Sequence, residues 1–425
     1  MSETEIAPWL TKSKWPTVPI RLVARLGSGH TPSRSRPEYW DNCTIPWITL
    51  ADVWQLRNGT ASIIDETKEK VSRLGIANSA AVLHSAGTVI LSRTASVGFS
   101  AIMGSDMATS QDFVTWSCGP RLDPRFLLHA LRGMGPDLKR IAVGSTHKTI
   151  YMPDIEQLRV PLPPLGEQRR IAKFLDAETT CIDQLVEARR RHVHLVEERW
   201  ESTIYQELTR DGADPVELRR LGVAVTTGPF GTIFSASEYE EGGIPMINPL
   251  HIKDGGIVPD RYHSVSSATA ARLSRHRLRV GDLVVGRKGD LGRSALVRQH
   301  QDGWVCGSDS IALHPSEQLR PRFLAYVLRS QFVRTQLLAR SLAATMPSLN
   351  EGSLLSLRVP KLDVRDQDRV VERLDTAHEW SSRVIAAMRS QLSLLAERRQ
   401  ALITAAVTGQ FDLPTASGRH VTDGV

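Results

Sequence analysis

The 425-residue sequence predicts an α+β protein with two mixed α/β domains in tandem, separated by two long antiparallel helices that form a coiled-coil-like spacer. Three observations support this fold class. Two long polar segments lack proline, short apolar runs bounded by glycine and proline fill the regions before them, and one half of the chain repeats the other. A repeat of this kind predicts a pseudo-two-fold arrangement within a single chain.

The composition shifts along the chain suggest five segments. We expect a first mixed domain at 1–164, a first long helix at 165–210, a second mixed domain at 211–361, a second long helix at 362–412 and a flexible tail at 413–425.

Strand and helix patterns characterise both mixed domains. The runs Ile45–Leu50 and Thr88–Leu91 predict strands in the first domain, and a helix is expected from Pro124 because proline suits the first helical turn. In the second domain, Gly243–Asn248 and Asp282–Val285 predict strands.

The first long helix is expected from Gly166 to Thr209, and the second from about Asp366 to Thr408. At about 1.5 Å per residue, the first would reach roughly 65 Å. Its apolar residues recur at steps of three and four, which predicts a narrow seam for one partner helix. The seam residues that we expect on the two helices are Ile171, Leu175, Ile182, Leu185, Val196, Val370, Leu374, Val384, Met388 and Leu395.

The internal repeat keeps its order along both halves with an offset of roughly 194 to 199 residues. Any one match has little weight, but together they indicate two copies of one framework. The matched pairs are Gly87–Arg93 with Gly281–Arg287, Gly98 with Gly292, Pro124–Leu127 with Pro321–Leu324, Leu158–Pro161 with Leu357–Pro360, and Gln168 with Gln367.

Charge and cysteine usage limit the class of protein. The net charge of +7 and a pI near 9.4 favour a nucleic-acid partner. The four cysteines are scattered, so neither a zinc knuckle nor a redox pair is expected. The first residues do not resemble a signal peptide, and no run approaches the roughly 20 apolar residues of a membrane span. We therefore expect a cytoplasmic protein without a membrane partner.

Sequence motifs for catalysis are missing. The chain has no phosphate-binding loop and no His-Glu-x-x-His motif, and the Asp65–Lys68 run is an acidic-x-Lys element typical of surface charge. These observations favour a non-catalytic DNA-reading protein without a metal site. Two other interpretations stay open: a stand-alone DNA-modifying or cleaving enzyme with fused recognition domains, and a coiled-coil scaffold without a DNA role.

Three stretches resemble the specificity subunit of type I restriction–modification systems. They are residues 27–53, 144–176 and 238–257, and the Pro161–Gln168 run that enters the long helix is the most specific of these features. The second copy, Pro360–Gln367, lacks the double proline and the glutamate. The resemblance extends from about Pro19 to Leu413.

The resemblance implies a function and a set of partners. Two target-recognition domains would read the halves of a split, asymmetric sequence in double-stranded DNA, and the helices would bind two modification (methyltransferase) subunits. Restriction subunits, which carry the motor and the nuclease, would join them. It implies no cofactor in this chain, with S-adenosylmethionine, ATP and Mg expected on the partner subunits.

Residue types that contact phosphates and base edges suggest where DNA would bind. For Arg93 and Arg287, a structural ion pair shared by both copies is the alternative, and for Lys148 and Lys288 it is an ordinary surface lysine. The candidate DNA-binding residues are Arg93, Ser145, Thr146, His147, Lys148, Arg287, Lys288, Arg293, Thr345 and Asn350.

Overall fold

The computed structural model describes residues 8–57, 59–145, 147–210, 214–288, 292–341 and 349–410, with only the backbone at 340–341. The flexible tail expected at 413–425 lies outside these ranges, as do the candidates Thr146 and Thr345. Within the described ranges, no helix combines the length and apolar character needed to cross a bilayer.

The first part of the chain alternates short strands with short helices, as expected. Its strands are β1 (Thr17–Pro19), β2 (Ala24–Ser28), β3 (Ile45–Ile48), β4 (Ile63–Ile64), β5 (Glu69–Val71), β6 (Val89–Ser92), β7 (Ser100–Met103), β8 (Ala108–Thr109), β9 (Phe113–Cys118) and β10 (Arg159–Pro161). Its α-helices are α1 (Arg73–Ala77), α2 (Pro124–Gly133), α3 (Gly135–Ile141) and α4 (Met152–Glu156), and 3-10 helices span Pro8–Leu10, Ile20–Leu22, Pro37–Trp40 and Leu50–Leu56.

The long helix α5 (Leu165–Thr209) leads to a second series of elements. The strands are β11 (Pro215–Glu217), β12 (Ala224–Thr227), β13 (Tyr239–Ile247), β14 (Ile252–Lys253), β15 (Gly256–Ile257), β16 (Ser264–Val265), β17 (Leu283–Gly286), β18 (Ser294–Leu296), β19 (Val305–Cys306), β20 (Ser310–His314) and β21 (Arg358–Pro360). The α-helices are α6 (Ser267–Arg272), α7 (Pro321–Arg329), α8 (Gln331–Ser341), α9 (Glu351–Leu355) and the long α10 (Val364–Val407). Short 3-10 helices span Leu218–Leu221, Gly231–Ile233, Ala236–Glu238, Pro249–His251, Ser274–His276 and Gln299–Gln301.

The chain divides into two compact units, and each long helix contributes to both. Unit 1 contains residues 1–190 and 389–425, and unit 2 contains residues 191–388.

Unit 1 is built on a five-stranded sheet in the order β2-β9-β6-β7-β4, with a three-stranded sheet β5-β3-β8 beside it. Phe126 and Leu131 of α2 are buried in the main core together with Leu175 of α5 and Ile403 of α10. Both long helices therefore complete the hydrophobic core of this unit rather than only extending from it.

Unit 2 repeats this plan with a four-stranded sheet, β12-β20-β17-β18, and a three-stranded sheet, β16-β13-β19. Phe323 of α7 is buried with Ile204 and Leu208 of α5 and with Val370 and Leu374 of α10. In both units the three-stranded sheet contains one parallel pair, β3 with β8 and β13 with β19.

The two long helices run antiparallel where they meet inside each unit. In unit 1 the early part of α5 contacts the late part of α10, and Arg399 Nε donates to the Asp183 carboxylate at 3.0 Å. In unit 2 the late part of α5 contacts the early part of α10. There Arg373 donates to Glu207 at 2.6 Å, and the Trp200 ring lies 5.1 Å from that of His378.

The burial of the predicted seam residues follows one helical stripe with one departure. Leu185 is 47% exposed, because the stripe on α5 passes from Ile182 to the half-buried Val186, four residues on rather than three. The other predicted positions fall into two groups: Ile171, Leu175, Ile182, Val370 and Leu374 are buried, and Val196, Val384, Met388 and Leu395 are half-buried.

The backbone conformation of the two units repeats at matched glycines. Gly87 and Gly281 have φ values of 85° and 92°, and Gly98 and Gly292 have 94° and 95°. Side chains with a Cβ rarely adopt this region, so glycine is required at each of these turns. The repeat therefore records the turn geometry of a shared framework.

A buried glutamine attaches the first long helix to its sheet domain. The Gln168 amide nitrogen donates to the carbonyls of Arg121 and Pro163, each at 2.9 Å, and its oxygen accepts from the Asp123 backbone N–H at 2.8 Å. Gln168 is fully buried, so these three bonds satisfy an amide group that has no access to water.

Gln367 makes the same three bonds in unit 2. Its amide nitrogen donates to the carbonyls of Gln318 and Leu362 at 2.9 Å, and its oxygen accepts from the Arg320 N–H at 2.7 Å. The matched pair thus fixes where each long helix leaves its domain, although the two entry sequences differ.

A second pair of matched contacts lies two turns further along each helix. Asp176 accepts a hydrogen bond from His129 Nε2 at 2.8 Å, and Asp375 accepts one from the Tyr326 hydroxyl at 2.5 Å. Burial lowers the pKa of His129 below its ordinary value. A neutral donor therefore faces the helix carboxylate in both units, and the contact is kept while the residue type changes.

We predict that Gln168→Ala destabilises unit 1 by about 2–4 kcal/mol, because it leaves the three backbone groups that bond to this buried amide without partners. Thermal unfolding would measure the loss, and faster amide exchange at Asp123 would localise it. Gln184→Ala, an exposed glutamine on the same helix, is the control. Equal effects of the two substitutions would contradict the anchoring role.

Candidate nucleic-acid interface

Arg93 and Arg287 occupy matched positions just after β6 and β17, and both clamp backbone segments. The Arg93 carbonyl accepts from the Ile150 N–H at 2.8 Å, and its Nε donates to the Gln111 carbonyl at 3.0 Å. Arg287 exchanges similar bonds with one residue, Leu349, whose N–H donates at 2.9 Å and whose carbonyl accepts from Nε at 3.2 Å. Each arginine therefore positions the chain ahead of a short helix, α4 or α9.

The polar loop of unit 1 is held at its base and exposed at its tip. Val143 and Thr149 form a backbone pair, and the Ala95 N–H donates to the Lys148 carbonyl at 2.8 Å. Ser145, His147 and Lys148 are exposed. Hydroxyl, imidazole and ammonium groups held in this way are suited to contact phosphates and base edges.

The candidates of unit 2 gather around the end of β17. Lys288 Nζ pairs with Asp309 Oδ1 at 2.8 Å, and both side chains remain about half exposed. The Arg293 carbonyl accepts from the Gly286 N–H at 2.9 Å, which places this exposed residue at the same strand end. Asn350 instead caps α9, where its side-chain oxygen accepts from the Ser353 N–H at 2.8 Å.

A cleft beside Lys288 brings in residues that the sequence did not single out. Phe230 and Tyr239 line it together with Arg287, Lys288 and Asp309. Phe230 is 62% exposed, so an aromatic surface and a cation face solvent side by side.

Comparison with known proteins agrees with this layout. A family model described as "Type I restriction modification DNA specificity domain" matches residues 12–192. The specificity subunit of the type I restriction enzyme EcoBI from Escherichia coli is 22% identical over 316 residues, 68% of this chain and 66% of the relative. That of MjaIX from Methanocaldococcus jannaschii is 25% identical over 265 residues, 57% of this chain and 59% of the relative.

Residues 12–192 of this chain are thus similar to the DNA specificity domain of type I restriction–modification systems, and both relatives are specificity subunits of such systems. The resemblance found in the sequence is thereby confirmed, although the matched regions span less than two thirds of these relatives.

Solved structures support the fold of this chain. A chain from work on complex assembly and conformational transition of the type I R-M system aligns over 93% of this chain and 98% of its own, with 17% identity and a TM-score of 0.71. The HsdS subunit from Thermoanaerobacter tengcongensis aligns over 93% and 97%, with 18% identity and a TM-score of 0.50. The predicted fold class, with two mixed domains and long helices, is confirmed.

One group of side chains has the spacing of a metal site. The possible ligand atoms of His251, Asp260 and His263 all lie within 4.8 Å of one another in unit 2. However, His251 Nδ1 accepts a hydrogen bond from the Asn248 N–H at 3.0 Å. Its proton must therefore sit on Nε2, which faces Asp260 at 3.3 Å and cannot ligate a metal in that form. We interpret the group as a hydrogen-bonded loop anchor.

Asp260 is the acceptor at the centre of this anchor. It accepts from the backbone N–H groups of Tyr262 and His263 at 2.9 and 2.8 Å, and from both histidine rings. Burial alone would raise the pKa of Asp260, but these hydrogen bonds outweigh it and hold the pKa well below its ordinary value.

We predict that Asp260→Asn destabilises unit 2 at neutral pH and that its difference from wild type shrinks as the solution is acidified. The folded-state pKa of Asp260 is depressed, so its stabilisation is complete above the unfolded value of about 3.9 and is lost as pH falls below it. Melting temperatures measured from pH 7 down to pH 2 would show this convergence. Asp254→Asn removes an exposed carboxylate in the same loop region and is the control, because its difference in melting temperature from wild type should not depend on pH. If the difference for Asp260→Asn is also independent of pH, the assignment is refuted.

Proposed function

We propose that this chain is the non-catalytic DNA-sequence-recognition subunit of a type I restriction–modification system. One mixed domain in each unit reads one half of a split, asymmetric sequence in double-stranded DNA. The chain directs modification and restriction subunits to that sequence.

The observation that carries this proposal is a duplicated framework with different exposed side chains. The buried glutamines and the positive-φ glycines are matched between the units. The surfaces near the two clamping arginines differ, with Ser145, His147 and Lys148 exposed in unit 1 and Lys288 beside Phe230 in unit 2. Two similar scaffolds with different surfaces suit a target whose halves differ.

The proposed assembly adds partners and cofactors outside this chain. Two modification subunits, which bind S-adenosylmethionine, and restriction subunits, which use ATP and Mg, would complete the enzyme in the cytoplasm. The chain itself would bind neither a cofactor nor a metal. A net charge of +7 supports binding to DNA.

The domain boundaries and the site residues remain part of the proposal. Segments 1–164 and 211–361 would be the recognition domains, and segments 165–210 and 362–412 the spacer helices with a pseudo-two-fold relation. The DNA contacts would come from the candidates in the two loop regions, with Arg93 and Arg287 positioning those regions.

We predict that the full chain mixed with its modification subunits methylates DNA at a bipartite motif, and that neither component does so alone. Methyl transfer from labelled S-adenosylmethionine to a random-sequence duplex pool would be measured, and the modified duplexes would be sequenced. An uninterrupted recognition sequence in place of a split one would contradict the proposal. Methylation by this chain alone would also contradict it.

We predict that Lys148→Ala weakens DNA binding similarly for all sequences and lowers the slope of log affinity against log salt by about one. The physical reason is the loss of one phosphate contact with its released counterion. Fluorescence anisotropy between 50 and 200 mM salt would be the measurement. Lys12→Ala, in the segment that lies against the end of α10 through the Lys14–Thr408 backbone bond, is the control. An unchanged slope for Lys148→Ala would argue against phosphate contact there.

A further inference from the structure

The backbone hydrogen bonds define which surface residues of the two units correspond. The Arg93 N–H donates to the Asp112 carbonyl, and the Arg287 N–H donates to the Asp309 carbonyl, each at 2.8 Å. Asp112 is therefore the counterpart of Asp309, and Gln111 precedes it as the counterpart of Ser308.

A second pair of backbone bonds gives the same register. The Ser110 N–H donates to the Ile48 carbonyl and the Gly307 N–H to the Ile247 carbonyl, each at 2.9 Å. The segment just before β9 in unit 1 and the segment just before β20 in unit 2 thus occupy equivalent positions. Their exposed side chains can therefore be compared directly, position by position.

In unit 1 this place presents a preorganised amide. The Thr31 hydroxyl donates to Gln111 Oε1 at 2.6 Å, and the Arg93 guanidinium holds the Gln111 carbonyl at 3.0 Å. Gln111 is exposed, so its side-chain N–H groups are accessible to a ligand and its oxygen retains a second lone pair. An amide held in this way matches the paired acceptor and donor of an adenine edge in the major groove.

In unit 2 the same place presents a cation beside an aromatic ring. The Lys288 ammonium is oriented by Asp309 at 2.8 Å, and Phe230 lines the same cleft. Lysine donates to the O6 and N7 acceptors of guanine, and an apolar ring contacts the methyl group of thymine. Asp309 keeps the lysine at the cleft instead of letting it sample solvent, which lowers the entropy lost on binding.

We propose that Gln111, oriented by Thr31, and Lys288, oriented by Asp309 next to Phe230, are the specificity-determining residues of the two units. Gln111 reads an adenine in one half of the target, and Lys288 with Phe230 reads a guanine next to a thymine in the other half. Arg93 and Arg287 hold these groups in place and read no base. This inference rests on the proposed function and deepens it.

The test measures base preference in each half-site separately. The full chain with its modification subunits is presented with a pool of duplexes randomised in both halves, and the methylated duplexes are sequenced for wild type, Gln111→Ala and Lys288→Ala. Each substitution is expected to relax preference at one base pair by roughly tenfold or more, in opposite halves of the motif. Phe230→Ala is expected to weaken a thymine preference in the half that Lys288→Ala affects.

A graded variant and two controls separate reading from folding. Thr31→Ala is expected to relax the same base pair as Gln111→Ala, but less, because the amide remains and only its orientation is lost. Gln157→Ala and Lys253→Ala remove exposed residues of the same types in units 1 and 2 and are expected to leave the motif and the melting temperature unchanged.

The outcomes distinguish a failure of this residue assignment from a failure of the proposed function. A wild-type complex that yields no split motif would overturn the proposed function. A wild-type complex with a split motif that neither Gln111→Ala nor Lys288→Ala alters, or that both alter in the same half, would overturn the assignment of these residues and leave the proposed function standing.

Discussion

The fold depends on one buried amide in each unit. Gln168 and Gln367 join the first turn of a long helix to the loop ahead of α2 or α7 through two bonds each, and a third bond holds the segment that enters the helix. Both glutamine side chains are buried, so these bonds tolerate little change in distance or angle, since a missing partner leaves a buried amide unsatisfied. The direction in which each helix leaves its sheet is therefore set by hydrogen-bond geometry rather than by hydrophobic contact alone.

With that direction fixed, the outer surface is free to vary. The sheets, the positive-φ glycines and the clamping arginines recur at matched places in both units. The exposed side chains at matched places carry no share of the core, so a substitution there changes contacts with a ligand at little cost in stability. This separation of scaffold from surface explains how two copies of one framework can acquire unlike binding chemistry.

Much of the framework could be predicted from the sequence. Helical periodicity is visible within one segment, and the repeat is visible because its matched residues keep the same order in both halves. The long helices, Pro124 as a helix start and the matched glycines all belong to this class. Leu185 was misplaced because steps of three and four from Ile182 are equally compatible with a helical stripe. The Thr31–Gln111 contact could not be found, because it joins single polar residues 80 positions apart with no pattern that connects them. The paired carboxylate of Lys288 escaped notice for the same reason.

Unit 1 is assembled from two stretches of chain with all of unit 2 between them. Its core includes Ile403 and Val407 of α10, and the Lys14 N–H donates to the Thr408 carbonyl. During synthesis the ribosome must therefore deliver residues 191–388 before the first unit receives its last core side chains. Unit 2 can close as one continuous stretch, whereas the partly formed unit 1 leaves an apolar face uncovered until residues 389–408 have been made. Unit 1, which is begun first, is the last to become complete, and newly made chains are most prone to aggregate during that interval.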